Sequence, residues 1–441
     1  MRPALDSELN PAMAGIDDAM LDGLVKGIPG GTAGLRLGDI GRQGWNLLAE
    51  DLALPVAVIH EPVMAANSRW MAGFLKATGA LLAPHGKTTM SPQLFRRQLA
   101  DGAWAITVAT VQQLLVARRF GVVRVLLANQ IVGRQAARTI VAELAADPGF
   151  EFYGLADSPQ TVAGIANEAR RAGLARPVNL LLEGGMAGGR TGCRDVEGAL
   201  AVARAIAAAH PWVSLAGVEG FEGLVRGDSE PERLAGVHRF LDHLCAIAAA
   251  CQREGLFAPG PVILTAGGSS YYDLVVARLG AAGIADARIV TRSGCYLTHD
   301  SGLYRQAFAH LRQRSPAARA VPGGLAPALE LWAYVQSRPE PGRAILALGK
   351  RDAGHDAGFP VPERWHRPGA GGTPLALGGD HRVVELNDQH AHMAVPPHSP
   401  LGVGDMVGLG VSHPCTTFDK WQVIFLVDAA YRVTGAIRTF F

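Results

Sequence analysis

From Val123 to Ala172 the chain reads VRVLLANQIVGRQAARTIVAELAADPGFEFYGLADSPQTVAGIANEARRA. Two short apolar runs, Val123–Ala128 and Phe150–Ala156, alternate with two longer amphipathic stretches, Gln135–Ala146 and Ser158–Ala172. Continuous apolar runs mark strands buried on both faces, as in parallel sheets. Asp157-Ser158-Pro159 is a helix start, with proline in the first turn. The stretch therefore predicts strand, helix, strand, helix.

The same period runs outward in both directions. Further apolar runs stand at Ala80–Ala83, Ala105–Val108, Val178–Leu182, Val213–Val218, Val262–Leu264 and Arg288–Val290. Pro92–Ala100, Val111–Phe120 and Asp195–Ala209 read as helices between them. About eight β–α units predict an α/β fold built on a (β/α)8 TIM barrel, with a doubly wound open sheet as the alternative. After about Leu325 the helical period fades. Turn clusters such as Pro339-Glu340-Pro341-Gly342 then separate the β-rich runs Ala344–Leu348, Arg382–Leu386, Met406–Val411 and Gln422–Val427. The predicted division is an N-terminal extension over 1–45, a barrel over 46–310, and a mostly antiparallel β domain over 311–441. Within the extension, Ile16–Lys26 reads as one amphipathic helix.

Composition excludes several classes. The 441 residues include 41 basic and 39 acidic side chains, and 49% are hydrophobic. Such a chain buries a core rather than staying disordered, and it lacks the basic excess of a general nucleic-acid binder. No apolar run approaches the ~20 residues that cross a bilayer. Asp6, Glu8, Asp17 and Asp18 interrupt the first twenty residues, so no cleaved secretion signal is expected and a cytoplasmic enzyme is. The five cysteines, Cys193, Cys245, Cys251, Cys295 and Cys415, form no CxxC, and reduced thiols are expected. The 54 glycines and 27 prolines are dispersed, as many short strand-to-helix turns require.

Polar residues cluster just after the apolar runs. In a barrel those strand ends share one face, where active sites are built. Lys87, in Pro84-His85-Gly86-Lys87-Thr88, follows the first run. An apolar surround would free its amine to condense with a carbonyl, whereas alone it reads as a solvated surface lysine. Gly267-Gly268-Ser269-Ser270 follows the seventh run, and Gly294 and Tyr296 follow the eighth. Two adjacent loops of this kind suit one phosphate, although a lone Gly-Gly is equally a tight turn. Arg190 suits a phenolate or carboxylate, and Arg292 ends the eighth run; each is otherwise a plain surface or strand-end charge. His413-Pro414-Cys415 offers imidazole and thiolate two residues apart, on one face of an extended chain, a pair that suits Zn²⁺. His381, His390 and His392 are further ligands, bases or ordinary surface histidines.

Taken in order, Pro84-His85-Gly86-Lys87-Thr88, Asn129-Gln130, Gly189-Arg190-Thr191-Gly192, Gly267-Gly268-Ser269, Gly294-Cys295-Tyr296 and His413-Pro414-Cys415 resemble the D-threonine aldolase / D-serine dehydratase family. That family is a branch of the alanine-racemase-like, fold type III pyridoxal-phosphate enzymes, and the likeness runs from Leu54 to Trp421. It implies a PLP-bearing barrel with a C-terminal β domain, usually in a homodimer. Lys87 matches the cofactor lysine, beside His85, and Arg190 the contact to the cofactor's 3′ oxygen. Gly267, Gly268, Ser269, Gly294 and Tyr296 match the phosphate loops. Arg292 is similar in position to the arginine facing the pyridine nitrogen in alanine racemase. His413 and Cys415 match the metal pair for Zn²⁺ or another divalent ion, and the dehydratase members carry His-x-Cys where aldolase members carry His-x-Asp. Gly220-Phe221-Glu222-Gly223 departs from the family's Tyr-Asp-Gly, and Gly349–Gly358 has no match.

The resemblance implies elimination of water from a small β-hydroxy D-amino acid, such as D-serine, D-threonine or 3-hydroxyaspartate, to a 2-oxo acid and ammonia. The alternatives are retro-aldol cleavage to glycine and an aldehyde, and a non-catalytic PLP-binding regulatory protein. Racemisation would need a second base, a tyrosine that the sequence does not place.

Overall fold

The computed structural model describes residues 11–441, so residues 1–10 of the expected extension lie outside the described residues. A helix over Pro11–Asp17 is followed by a short antiparallel ladder between β1 (Met20–Leu21) and β2 (Leu35–Arg36). The helix expected over Ile16–Lys26 is therefore not there. Asp17 ends the helix, and Gly23, Gly27, Gly30 and Gly31 keep the chain in turns beyond it. Lys26 ties this segment down: its Nζ lies 2.8 Å from Asp352 Oδ1 and 4.4 Å over the Trp421 ring.

β3 (Val56–His60) pairs with β12 (Leu329–Glu340) and β19 (Val423–Val427), so it belongs to the C-terminal sheet. This corrects the boundary expected at residue 46. Val-Ala-Val-Ile-His is buried on both faces, which gives it the same sequence signature as a barrel strand. The helix Glu61–Thr78 then leads into the barrel.

Eight parallel strands follow: β4 (Leu81–Leu82), β5 (Ile106–Val108), β6 (Arg124–Gln130), β7 (Glu151–Ala156), β8 (Val178–Gly184), β9 (Val213–Gly220), β10 (Val262–Ala266) and β11 (Ala287–Thr291). Their order, β4-β11-β10-β9-β8-β7-β6-β5, is sequential, and a parallel bridge between His85 and Thr107 closes the ring. All eight predicted runs are barrel strands, shifted by two residues or fewer at either end. Ala83, Ala105, Leu126, Leu155, Leu181, Ile263 and Val290 fill the lumen, one from each of seven strands or their flanks, so the centre is a packed core. A second and larger apolar layer joins the strands to the outer helices. Ser158 caps its helix by accepting from Thr161 N–H, with Pro159 in the first turn. The helix Glu230–Arg253 is long and apolar enough by composition to cross a membrane, but Val237, Phe240, Leu241, Leu244 and Ile247 bury one face of it on the barrel.

The last barrel helix spans Leu303–Arg314 and is followed by Pro316–Ala320, so the boundary expected at 310/311 falls inside a helix and belongs after Ala320. The remaining strands are β13 (Arg343–Leu346), β14 (Val361–His366), β15 (Leu375–Ala376), β16 (Arg382–Leu386), β17 (Ala391–Ala394), β18 (Met406–Gly410) and β20 (Val433–Arg438). With β3, β12 and β19 they form the C-terminal sheet, in which, among the described residues, only the β3–β19 pair is parallel. The mostly antiparallel β domain is as expected.

Candidate active site

Lys87 sits in a single helical turn, Gly86–Thr88, directly beyond β4. The side chain is exposed at the barrel mouth, as the solvated reading of this lysine has it, and no apolar surround encloses it. Its neighbours are what the barrel buries. His85 beside it is held far below the usual imidazole range, first by burial and then by the charges of Arg292, Lys87 and Arg190. His85 Nδ1 is buried with no hydrogen-bond partner in the chain.

Under the mouth lies an ionic layer. Arg292, just beyond β11, is 1% exposed and pairs with Glu219 at the end of β9. It also donates to Thr265 Oγ1 and to Gly220 O, each at 2.9 Å. Burial pushes the Glu219 carboxyl up to about 7 against the pull of Arg292. Glu183, at the end of β8, is likewise raised by burial, although Thr191 donates to it at 2.7 Å and Gln130 also hydrogen-bonds it. Arg292 Nε, Glu219 Oε2 and Glu222 Oε2 are buried and unpartnered. Arg190 is exposed and lies 5.3 Å from the Phe221 ring centroid.

The two glycine loops touch. Ser293 Oγ donates to Gly268 O at 2.8 Å. Gly267 adopts φ +109°, a conformation that glycine alone takes easily. Gly268 N–H donates to Glu222 at 3.3 Å. Gly294 serves close packing: a Cβ there would stand 2.6 Å from His85 O and 2.7 Å from Thr88 Oγ1. Ser269 is half-buried beside them. Tyr296 brings only its backbone to this end, because its side chain is buried in the core, hydrogen-bonded to Gln98 and Ser68.

His413 and Cys415 arrive from the β domain, beyond β18. Pro414 is in the helical region and Cys415 opens a short helix, so a turn rather than strand alternation brings the two side chains together. Cys415 Sγ lies 3.3 Å from Thr88 Oγ1, the hydroxyl next to Lys87, and 3.6 Å from Cys295 Sγ. Asp356 Oδ2 lies 2.7 Å from His413 Nδ1, and Thr416 donates to Asp356 Oδ1 at 2.5 Å. Burial opposes charge on His413, but Cys415 and Asp356 together push it up to about 9. Cys415 is held well below the usual thiol range, by the Cys295 thiol first and also by His413. The structure thus gathers Lys87, His85, Arg292, Gly294, His413 and Cys415 around one barrel mouth. His381 is instead tied to Asp380 and Ser399, and His392 to Asn387. Sequence reasoning left Cys295, Asp356, Thr88 and Glu219 without roles. Cys295 stood inside a quoted motif, and Asp356 inside the stretch Gly349–Gly358 that matched nothing.

A closed parallel barrel whose mouth is completed by an antiparallel β domain defines the class of protein. Residues 328–427 match the family described as putative serine dehydratase domain. A D-threonine aldolase of Arthrobacter sp is 26% identical over 375 residues, 85% of this chain and 88% of that protein. Among solved structures, D-threonine aldolase from Filomicrobium marinum aligns with a TM-score of 0.73 at 23% identity, covering 90% of this chain and 97% of the other. D-threo-3-hydroxyaspartate dehydratase from Delftia sp. HT23 aligns with a TM-score of 0.69 at 21% identity, covering 90% and 99%. That dehydratase is also solved as a histidine-to-alanine variant and as a cysteine-to-alanine variant in a metal-free form. The resemblance read from the motifs holds: the chain is similar in sequence to a putative serine dehydratase domain and a D-threonine aldolase, and it shares the fold of D-threonine aldolase and D-threo-3-hydroxyaspartate dehydratase.

Proposed function

We propose that the protein is a PLP-dependent, metal-assisted dehydratase that converts a small β-hydroxy D-amino acid into a 2-oxo acid and ammonia. The observation that carries this reading is the meeting of His413 and Cys415 with the Lys87 turn, through the 3.3 Å contact of Cys415 Sγ with Thr88 Oγ1. The residues fit both groups. An exposed amine, a surface arginine, two glycine loops and the unpartnered His85 Nδ1 and Arg292 Nε suit a phosphorylated pyridine aldehyde. Imidazole and thiolate suit a divalent metal. Lys87, His85, Arg190, Gly267, Gly268, Ser269 and Gly294 would hold the cofactor, with Arg292 beneath it, and His413 and Cys415 would hold the metal.

When bound, the cofactor supplies an electron sink for the α-carbon, and the metal supplies Lewis acidity at the β-hydroxyl. Lys87 Nζ would hold the cofactor and, as a free amine, would be the base that takes the substrate's α-proton. Arg190, exposed at the mouth, would supply a cation to the cofactor's ring oxygen. Asp356 fixes the His413 ring, leaving Nε2 for the metal. The buried Arg292–Glu219 pair would offer the cofactor a cation rather than a free acid.

Incubation with a panel of D- and L-β-hydroxy amino acids, read as oxo acid and ammonia, tests the reading. Replacing Lys87 with Ala removes the violet-edge absorbance of the lysine-bound cofactor, and its persistence would show that the lysine is misassigned. The similarity to D-threonine aldolases favours a second reading, retro-aldol cleavage. D-Threonine separates the two: 2-oxobutyrate supports the dehydratase, and glycine with acetaldehyde supports the aldolase.

A further inference from the structure

We infer that Cys295 is a third protein ligand of the metal, completing with His413 and Cys415 a Cys-His-Cys site with one position open to substrate. The inference rests on the metal reading above and adds to it a ligand from the barrel. The ligand atoms of Cys295, His413 and Cys415 all lie within 4.8 Å of one another. The two sulfurs are 3.6 Å apart. Two thiolates on one tetrahedral zinc, each about 2.3 Å from the ion, stand about 3.8 Å apart, whereas a disulfide brings them to about 2.05 Å. The observed spacing excludes a disulfide and leaves the two sulfurs, already in thiol–thiol contact, within about 0.2 Å of the separation that one zinc ion would require.

Two further observations point the same way. His413 Nδ1 is occupied by Asp356 at 2.7 Å, the carboxylate–histidine arrangement that turns the other ring nitrogen toward a metal. Thr88 Oγ1 lies 3.3 Å from one sulfur and 4.0 Å from the other, so the sulfur pair borders the Lys87 turn, where the reacting β-carbon belongs. Cys295 is 3% exposed, and it faces another thiol and a hydroxyl, not the apolar side chains around Cys251.

The third ligand changes the chemistry in two ways. Two thiolates and an imidazole favour zinc over Mg²⁺ or Mn²⁺, which prefer oxygen. Three protein ligands plus one open position form the arrangement of catalytic rather than structural zinc. Ligation takes both sulfurs as thiolates and the imidazole as its neutral form, and any proton the three side chains carry beforehand is released to solvent. The metal also cross-links the domains, since Cys295 belongs to the barrel and His413 and Cys415 to the β domain.

The test compares the full-length wild type with Cys295→Ser and Cys415→Ser, each loaded with Co²⁺ and then titrated with Zn²⁺ and Mg²⁺. We expect wild type to show near-ultraviolet thiolate-to-cobalt absorption with the intensity of two thiolates, together with tetrahedral visible bands. Cys295→Ser should halve the ultraviolet band, weaken zinc binding at least tenfold and narrow the preference for zinc over magnesium. If instead wild type shows the intensity of one thiolate, and Cys295→Ser leaves band and affinity unchanged while Cys415→Ser abolishes both, Cys295 is no ligand although the metal reading stands. If wild type binds no metal, both fall together. Should Cys295→Ser fail to fold, the wild-type band intensity decides alone.

Discussion

Replacing Arg292 with Met should destabilise the protein by an amount that grows with pH. Arg292 and Glu219 are 1% and 2% exposed, so neither charge is shared with solvent. With Arg292 present, burial lifts Glu219 from 4.5 to about 7. An acid raised on folding favours the folded state most below its unfolded value. The wild type therefore loses this contribution as pH rises from about 4.5 to about 7, and loses no more above that. Without Arg292 the carboxyl stays protonated to higher pH, so the loss continues at about 1.4 kcal/mol per pH unit. The linkage gap between the two proteins is then near zero at about pH 6, about 1 kcal/mol at about pH 7.5 and about 2 kcal/mol at about pH 8.5. To this is added a pH-independent cost of about 1–3 kcal/mol for the unpaired Thr265 Oγ1 and Gly220 O. Urea unfolding of both proteins across this range measures the gap, and adding Glu219→Gln to Arg292→Met should flatten it. A gap that stays constant with pH would refute the idea that Arg292 holds Glu219 charged.

Four further outcomes are expected. Asp356→Asn loosens the His413 ring and should lower metal affinity about 10–100-fold, read by equilibrium dialysis, with the cofactor absorbance unchanged. Gly294→Ala forces a Cβ to 2.6 Å from a backbone oxygen of the lysine turn and should cost about 1–3 kcal/mol, together with weaker cofactor binding in a fluorescence titration. Leu181→Ala opens the lumen of the barrel and should cost about 2–5 kcal/mol in urea unfolding. His413→Ala should abolish oxo-acid formation while keeping the violet-edge absorbance, because that absorbance needs only Lys87.

The barrel was legible because each strand carries its own signature. A run such as Val125–Ala128 is apolar at every position because neither face of the strand is open to water, and Ser158-Pro159 marks a helix start within two residues. The same local rule misassigned β3. Burial on both faces says that a strand is central but not which sheet it joins, and β3 reaches its partners across the whole length of the barrel. The N-terminal helix failed for a related reason. Ile16, Leu21 and Val25 do pack, but in turns against the β domain, while Met20 and Leu24 stay exposed, and the glycines decided the backbone before periodicity could.

The site divides along the same line. Residues that act at a strand end, such as Lys87 and Arg292, were visible because the barrel assigns every strand end to one face. Residues that act by meeting another segment were not. Thr88 and Cys415 are 327 positions apart and Cys295 and Cys415 are 120 apart, and no spacing rule connects them. Once the β domain is folded over the mouth, Cys295 faces a second thiol, that of Cys415, across a domain boundary. A chemistry that needs the lysine and the metal on one substrate therefore needs both domains. It follows that any change that frees β3 from β12 and β19 should abolish metal binding and loosen the flank of the barrel where Leu82, Tyr272 and Phe308 share an apolar core with that sheet, while the layer between the strands and the outer helices, which contains no residue of the sheet, stays packed.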